Sequence, residues 1–123
     1  MIHVYDADIL IDVLNGIEAA RKEIKLQDDR AVSIINWIEV MVGATPGLEQ
    51  PARRLLSEFR LIPLTHAIAE QAVLECRQRR IKLPDAIAIA TAIIEGGVLV
   101  TRNTKDFPQN ERYVRIPYRF PVR

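Results

Sequence analysis

Hydrophobic and polar positions follow two rhythms along the chain, and the switches between them mark its elements. Residues 2–5 form a short apolar run that reads as a buried strand, closed at once by Asp6. Residues 7–14 then carry Ile9, Leu10, Val13 and Leu14 at helical spacing, and Gly16 breaks the pattern. The charged stretch 18–30 predicts a second helix ending in the turn Asp28-Asp29. Residues 32–35 are a second apolar, β-rich run. Asn36 follows as a helix N-cap with Glu39 three residues on, and that helix runs toward Gly43. Thr45-Pro46-Gly47 marks a turn, and residues 51–59 predict a helix with Leu55, Leu56 and Phe59 inward. Residues 61–64 are a weak third strand whose Pro63 suits an edge position. Thr65 caps the next helix, with Ile68, Ala69, Ala72, Val73 and Cys76 as its inner stripe. Pro84 and Asp85 open a helix over 86–95 that is apolar nearly all round and stops at Gly96-Gly97. Residues 98–100 form a strand, 101–106 a polar loop, and 113–116 a last strand.

Strands alternating with helices imply a mostly parallel sheet covered on both faces, an α/β sandwich of three layers. No repeat or linker divides the chain, so residues 1–123 are expected to form one domain. In such sheets ligands bind beyond the carboxyl ends of the strands. Asp6 directly follows the first strand and Glu39 lies in the first turn after the second. Asp85 opens a late helix, and Asp106 lies in the loop after strand 98–100. If these strands are parallel neighbours, the four carboxylates share one end of the sheet. Crowded carboxylates repel and raise each other's pKa, a conflict that a divalent cation resolves. An all-oxygen donor set points to Mg²⁺ or Mn²⁺ before Zn²⁺, and His3 and His66 are alone in their segments. A metal pair so held could activate a water and neutralise the leaving oxygen of a phosphodiester. Thr101 and Asn103 could orient water or phosphate with neutral hydrogen bonds. Taken singly, each acid is explained equally well as a cap or a turn residue. Their common placement is what points to chemistry.

Composition narrows the class. Among 123 residues, 49% are hydrophobic and 27% charged, which is globular and not disordered. Cys76 is the lone cysteine, so no internal disulfide can form, and this suits a reducing cytoplasm. The uncharged run 86–94 is too short to span a bilayer, where about 20 residues are needed. Asp6, Asp8 and Asp12 interrupt the N-terminal apolar residues, so no signal peptide is readable. A net charge of +1 hides two basic clusters, Arg77, Arg79, Arg80 and Lys82, and Arg112, Arg115, Arg119 and Arg123. Basic groups beside an acidic cluster suit a polyanionic substrate, though solvated faces and helix ends use the same residues.

Four blocks of the sequence resemble the PIN-domain family, in particular the VapC-type toxins of toxin–antitoxin pairs. They are Val4-Tyr5-Asp6-Ala7-Asp8-Ile9-Leu10-Ile11-Asp12, Ser33-Ile34-Ile35-Asn36-Trp37-Ile38-Glu39-Val40, Ile81-Lys82-Leu83-Pro84-Asp85-Ala86-Ile87-Ala88-Ile89-Ala90-Thr91-Ala92 and Val100-Thr101-Arg102-Asn103-Thr104-Lys105-Asp106-Phe107. The third is the most specific, and the four stand in family order across essentially the whole chain. The resemblance implies a sheet of about five strands in the order 3-2-1-4-5. It implies Mg²⁺- or Mn²⁺-dependent cleavage of single-stranded or loop RNA by an endoribonuclease. Asp6, Glu39 and Asp85 carry over as metal-binding acids and Thr101 as a supporting hydroxyl. The fourth acid falls at Asn103 or Asp106, with Asp106 favoured for its charge. Asp8 stands where relatives carry a small polar residue, and Asp12 is expected at the rim or on substrate, with Lys82 and Arg102 as further substrate contacts. The family usually dimerises and is neutralised by a small VapB-like antitoxin. The helix over 51–59 and the apolar residues near Trp37 and Met41 could meet such a partner, although Trp37 and Met41 equally suit a core.

Two other readings start from particular residues. Asp6-Ala7-Asp8 after a strand resembles the first motif of haloacid-dehalogenase-like phosphatases, but no Gly-Asp-x-x-x-Asp follows it. Asn103 and Asp8 could instead mark an altered site, leaving a catalytically weak RNA- or protein-binding module.

Overall fold

A computed structural model describes residues 1–108 and 111–120. Its five strands are β1 (His3–Tyr5), β2 (Arg30–Ser33), β3 (Arg60–Ile62), β4 (Val98–Val100) and β5 (Val114–Arg115). All pairings are parallel, and the strand order is β3-β2-β1-β4-β5 as expected. The helices are α1 (Ala7–Leu14), α2 (Glu18–Lys25), α3 (Ile34–Gly43), α4 (Glu49–Leu56), α5 (His66–Arg79) and α6 (Leu83–Ile94).

The pleat sorts the strand residues onto two cores. Ile2, Val4, Ala31 and Leu99 pack with α5 and α6 on one face. Tyr5, Val32 and Val100 pack with α1 to α4 on the other. Strands buried on both sides explain why their sequences read as unbroken apolar runs rather than alternating ones. Helix α6 is buried from Ala86 to Ala92, and the one hydroxyl in that stretch, Thr91, donates to the Ile87 carbonyl at 2.7 Å. Among the described residues no helix is long and apolar enough to cross a membrane.

Gly97 fixes the junction between α6 and β4. A Cβ built there would stand 2.0 Å from the Ile2 carbonyl oxygen and 2.4 Å from Ile2 Cγ2. The obstacle is the Ile2 backbone, which leads directly into β1, so relief requires parting β1 from β4. We expect Gly97→Ala to cost about 3 kcal/mol or more, read as a fall in the urea midpoint.

Several boundaries differ from the sequence reading. The second strand ends at Ser33, and Ile34 and Ile35 belong to α3, whose N-cap is Ser33 rather than Asn36. Ser33 Oγ accepts from the Asn36 amide at 3.2 Å. Glu39 therefore lies in the second turn, not the first. Helix α4 occupies 49–56 instead of 51–59, although Phe59 beyond its end remains buried. The third strand sits earlier than 61–64, at an edge with Pro63 just past it. On α5, Val73 is 45% exposed while Glu75 is buried, because Glu75 pairs with Arg79 at 2.6 Å and accepts from Gln71 at 2.8 Å. Arg79 also meets Glu111 at 3.0 Å, and Arg115 meets buried Glu23 at 2.8 Å. Two arginines of the expected RNA-binding clusters are thus engaged in ion pairs within the fold. Arg123 lies outside the described residues.

Candidate metal centre and its surroundings

Strand register builds the site. Tyr5 is level with Val100 across the β1–β4 pair, so Asp6 and Thr101 leave the sheet side by side. The Asp6 amide donates to the Val100 carbonyl at 2.9 Å, and the Thr101 hydroxyl donates to Asp6 Oδ2 at 2.8 Å. Asp6 is also the N-cap of α1, its Oδ1 accepting from the Ala7 amide at 2.8 Å. On the other flank, β2 delivers Ser33 and then α3. Asn36 and Glu39 lie three residues apart and so share one helix face. The Asn36 side-chain amide donates to Glu39 Oε1 at 2.8 Å and to Asp6 Oδ1 at 3.2 Å, while its carbonyl accepts from Ser33 Oγ at 3.1 Å. One buried amide thereby holds Asp6 and Glu39 within two hydrogen-bond lengths of each other.

From the first turn of α6, Asp85 joins the group beside Asp106. The Asn103 side chain closes on Asp106 twice, donating to Oδ2 at 3.0 Å and accepting the Asp106 amide at 3.3 Å. Asn103 thus orients Asp106, which supplies the charge next to Asp85. Asp8, in the first turn of α1, accepts from the Arg102 amide at 3.2 Å with Oδ2, while its Oδ1 is buried with no hydrogen-bond partner among the described residues. The resulting cavity, about 490 Å³, is lined by Asp6, Asp8, Glu39, Asp85, Arg102 and Lys105 among others.

The electrostatics follow from this crowding. Burial, reinforced by the charge of Asp8, raises the Asp6 carboxyl from its usual acidity to about 8, against the opposing Thr101 hydrogen bond. Burial, with Asp106 next and then Glu39 and Asp8, raises Asp85 to about 6. Asp8 is also raised, chiefly by burial, with the Arg102 amide opposing. Burial, joined at Asp6 and Asp85 by neighbouring negative charge, disfavours the ionised form of these carboxylates, and the donor set is oxygen only. An orphaned buried oxygen on Asp8 adds a free ligand atom. The residues present therefore fit a hard divalent cation. Among the described residues no three His, Cys, Asp or Glu side chains stand together as a ready set of metal ligands. Mg²⁺ keeps several of its waters and takes only one or two carboxylates, so an open, one-sided set is compatible with it.

A family model described as PIN domain matches residues 4–112. The chain belongs to the PIN domain family. It is 32% identical to Ribonuclease VapC10 of Mycobacterium tuberculosis, over 94% of this chain and 92% of that protein. A solved toxin–antitoxin complex from Klebsiella pneumoniae contains a chain of 40% identity, with a TM-score of 0.88 over 95% of this chain and 98% of that one. FitAcB from Neisseria gonorrhoeae has the same fold at 18% identity, with a TM-score of 0.79 over 94% of this chain and 98% of that one. The family leaves no place for the phosphatase reading, and Asp6 is a cap bonded at both oxygens rather than a free nucleophile.

Within this PIN domain, two expected substrate contacts are placed otherwise. Asp12 is not at the rim. It is 2% exposed and accepts from Arg102 Nε at 2.7 Å, Arg102 Nη2 at 3.1 Å and the Tyr118 hydroxyl at 2.7 Å. Phe120 covers the same guanidinium, its ring centroid 4.1 Å away. Lys82 is exposed ahead of α6 and does not line the cavity. Asn36 is the residue that sequence reasoning misassigned. The available signal was Ser33, an equally good cap three residues earlier, which puts Asn36 and Glu39 on the same face.

Proposed function

We propose that this protein, acting as one PIN domain over residues 1–123, is a metal-dependent endoribonuclease and the toxin of a VapBC-type toxin–antitoxin pair. The observation that carries the chemistry is the convergence of Asp6, Glu39 and Asp85 from three separate segments onto one cavity, with Asn36 tying Asp6 to Glu39 and Asp106 bonded to Asp85 beside it. The two relatives above, a ribonuclease and a chain of a toxin–antitoxin complex, support the reading.

Asp6, Asp85, Glu39 and Asp106 would hold Mg²⁺ or Mn²⁺, with Asp8 close enough to add charge. When bound there, the cation supplies a water of lowered pKa and neutralises charge at the leaving oxygen of the phosphodiester. The protein's part is orientation. Thr101 and Asn36 fix the two oxygens of Asp6, Asn36 fixes Glu39, and Asn103 fixes Asp106. Arg102 uses Nε and Nη2 on Asp12, which leaves Nη1 to meet a phosphate of single-stranded or loop RNA at the cavity mouth. Exposed Arg77, Arg80 and Lys82 are candidates for outer contacts with the RNA backbone.

The antitoxin is proposed to bind over Trp37, Ile38, Met41 and Val42, which with Pro46 and Arg53 border an apolar cavity. Trp37 and Met41 are half-buried against the core, while Ile38 and Val42 are 44% and 80% exposed. The apolar face of Leu64, Val73 and Leu83 is proposed for a homodimer. The setting proposed is the cytoplasm, where the lone Cys76 stays reduced.

The test is incubation with end-labelled RNA and Mn²⁺, with and without chelator, beside Asp85→Asn. Cleavage should disappear with chelator and fall at least a hundredfold in the variant, with internal fragments in the wild type. Cleavage that ignores both treatments would defeat the proposal. RNA retained without cleavage would favour the weak binding module.

A further inference from the structure

A second cavity lies directly behind the carboxylates. It measures about 680 Å³, within the size range of small-ligand sites. Lys105 lines both cavities, and Asp106, which touches Asp85, faces this one. The turn from Asn103 to Asp106 is therefore a shared wall, so RNA engaged at the carboxylates has a neighbouring recess within reach.

The lining has the character of a base pocket rather than a phosphate pocket. Ile93, Pro108 and Tyr113 give apolar and aromatic walls, and the Arg112 guanidinium lies 4.9 Å from the Tyr113 ring centroid. Splayed bases of single-stranded RNA are held by such surfaces. The charged residues balance, with Glu75, Asp106 and Glu111 set against Arg79, Lys105 and Arg112. Arg79 is committed to Glu75 and Glu111 at 2.6 and 3.0 Å. A phosphate would gain little here, whereas a neutral base would lose little.

Hydrogen-bonding capacity is rich in acceptors. Gln71 meets Glu75 through its amide nitrogen and still carries a carbonyl. Glu111 meets Arg79 through Oε1 and carries a second carboxylate oxygen. Acceptors of this kind select exocyclic amino groups. A further observation points the same way. Tyr113 has φ of 69°, a left-handed conformation that is an outlier for a bulky side chain and that tends to accumulate at functional sites. Its carbonyl is anchored by the Leu99 amide at 2.7 Å, so the strained residue is held by the sheet itself.

We infer that the cavity formed by Gln71, Glu111 and Tyr113 behind Asp106 is a nucleobase subsite that favours an amino-bearing base (adenine, cytosine or guanine) over uracil next to the cleaved linkage. This rests on the ribonuclease reading for its biological use, but the pocket can be tested without cleavage. Adenosine and cytidine 5′-monophosphates, added to metal-free protein, should shift the NMR signals of the Tyr113 ring and Gln71 side-chain amide. Uridine 5′-monophosphate should shift them far less. In cleavage, oligonucleotides that differ only at the flanking base should show a preference of roughly tenfold against uracil. Both effects should collapse toward equality in Gln71→Ala and in Tyr113→Gly, the latter removing the ring while accepting the backbone angle. The rate ratio between substrates does not depend on how much of a variant is folded. A wild-type preference that survives both variants overturns the inference, as does the absence of nucleotide-specific shifts. If the protein cleaves no RNA, the ribonuclease reading fails, and nucleotide binding alone decides the pocket.

Discussion

Asp6→Asn should abolish cleavage while making the metal-free protein more stable. The two effects have one cause. Asp6 is buried among carboxylates, and its acidity is pushed up to about 8, with Asp85 following at about 6. An unfolded aspartate titrates near 3.9. Between roughly pH 4 and pH 8 the folded chain therefore binds more protons than the unfolded one, and its stability falls as pH rises through that window. Asparagine removes the penalty and keeps most of the bonding. Its Oδ1 can still accept from Ala7 and Asn36, and its amide can donate to Thr101 Oγ1. The Thr101 hydrogen is then free to turn to Asp8 Oδ2, 3.2 Å away. At pH 8 we expect a gain of about 2 kcal/mol, a rise in Tm of roughly 5–10 °C. Millimolar Mn²⁺ should raise the wild-type Tm and leave the variant's unchanged. Activity should fall about a thousandfold, because the variant loses the charge at the centre of the cluster. Melting curves at pH 5 and pH 8, with and without Mn²⁺, check the stability half. A variant less stable than wild type at pH 8 would show that the carboxylates are not in conflict.

Local pattern was sufficient wherever an element's partners lie close in sequence. Helix α1 and strand β4 have the bounds that spacing and β-branched residues suggested, 7–14 and 98–100. The carboxylates were legible because a parallel sheet delivers its strand ends to one place, and Asp6, Asp85 and Asp106 each follow or flank such an end. What was illegible depended on partners far along the chain. Ile34 and Ile35 look like strand, yet Ser33 can cap, and packing against α6 and the sheet settles the choice for helix. Arg115 looks like part of a basic tail until Glu23, 92 positions earlier, proves to be buried beneath it. Arg79 is similar, since Glu75 lies one turn away on the same helix but Glu111 does not. Charge pattern alone cannot separate a solvated cation from one paired with a buried acid.

Asp12 is the sharpest case of that kind, and its removal should be among the costliest substitutions in the chain. Its carboxylate accepts from Arg102 Nε and Nη2 and from the Tyr118 hydroxyl, at 2.7 to 3.1 Å. Burial, with the bond to Asp12 next, holds the Tyr118 phenol above its ordinary pKa, so it remains a donor throughout the working range. Asp12→Ala would leave a guanidinium that is 29% exposed and a half-buried phenol without their acceptor. Breaking one side of such a pair costs about 3–5 kcal/mol when fully buried, and the partial exposure of Arg102 places this one near 3. The consequence should reach the site, because Arg102 also donates its backbone amide to Asp8 and precedes the Asn103 that orients Asp106. We expect the urea midpoint to drop and KM for RNA to rise several-fold, with Tyr118→Phe giving a smaller loss of about 1 kcal/mol in the same direction. If Asp12 instead contacted substrate, Asp12→Ala would change KM while leaving the urea midpoint where it was. The burial of its carboxylate under Arg102 and Tyr118 argues for the opposite order, in which stability moves first and binding follows through the displaced arginine.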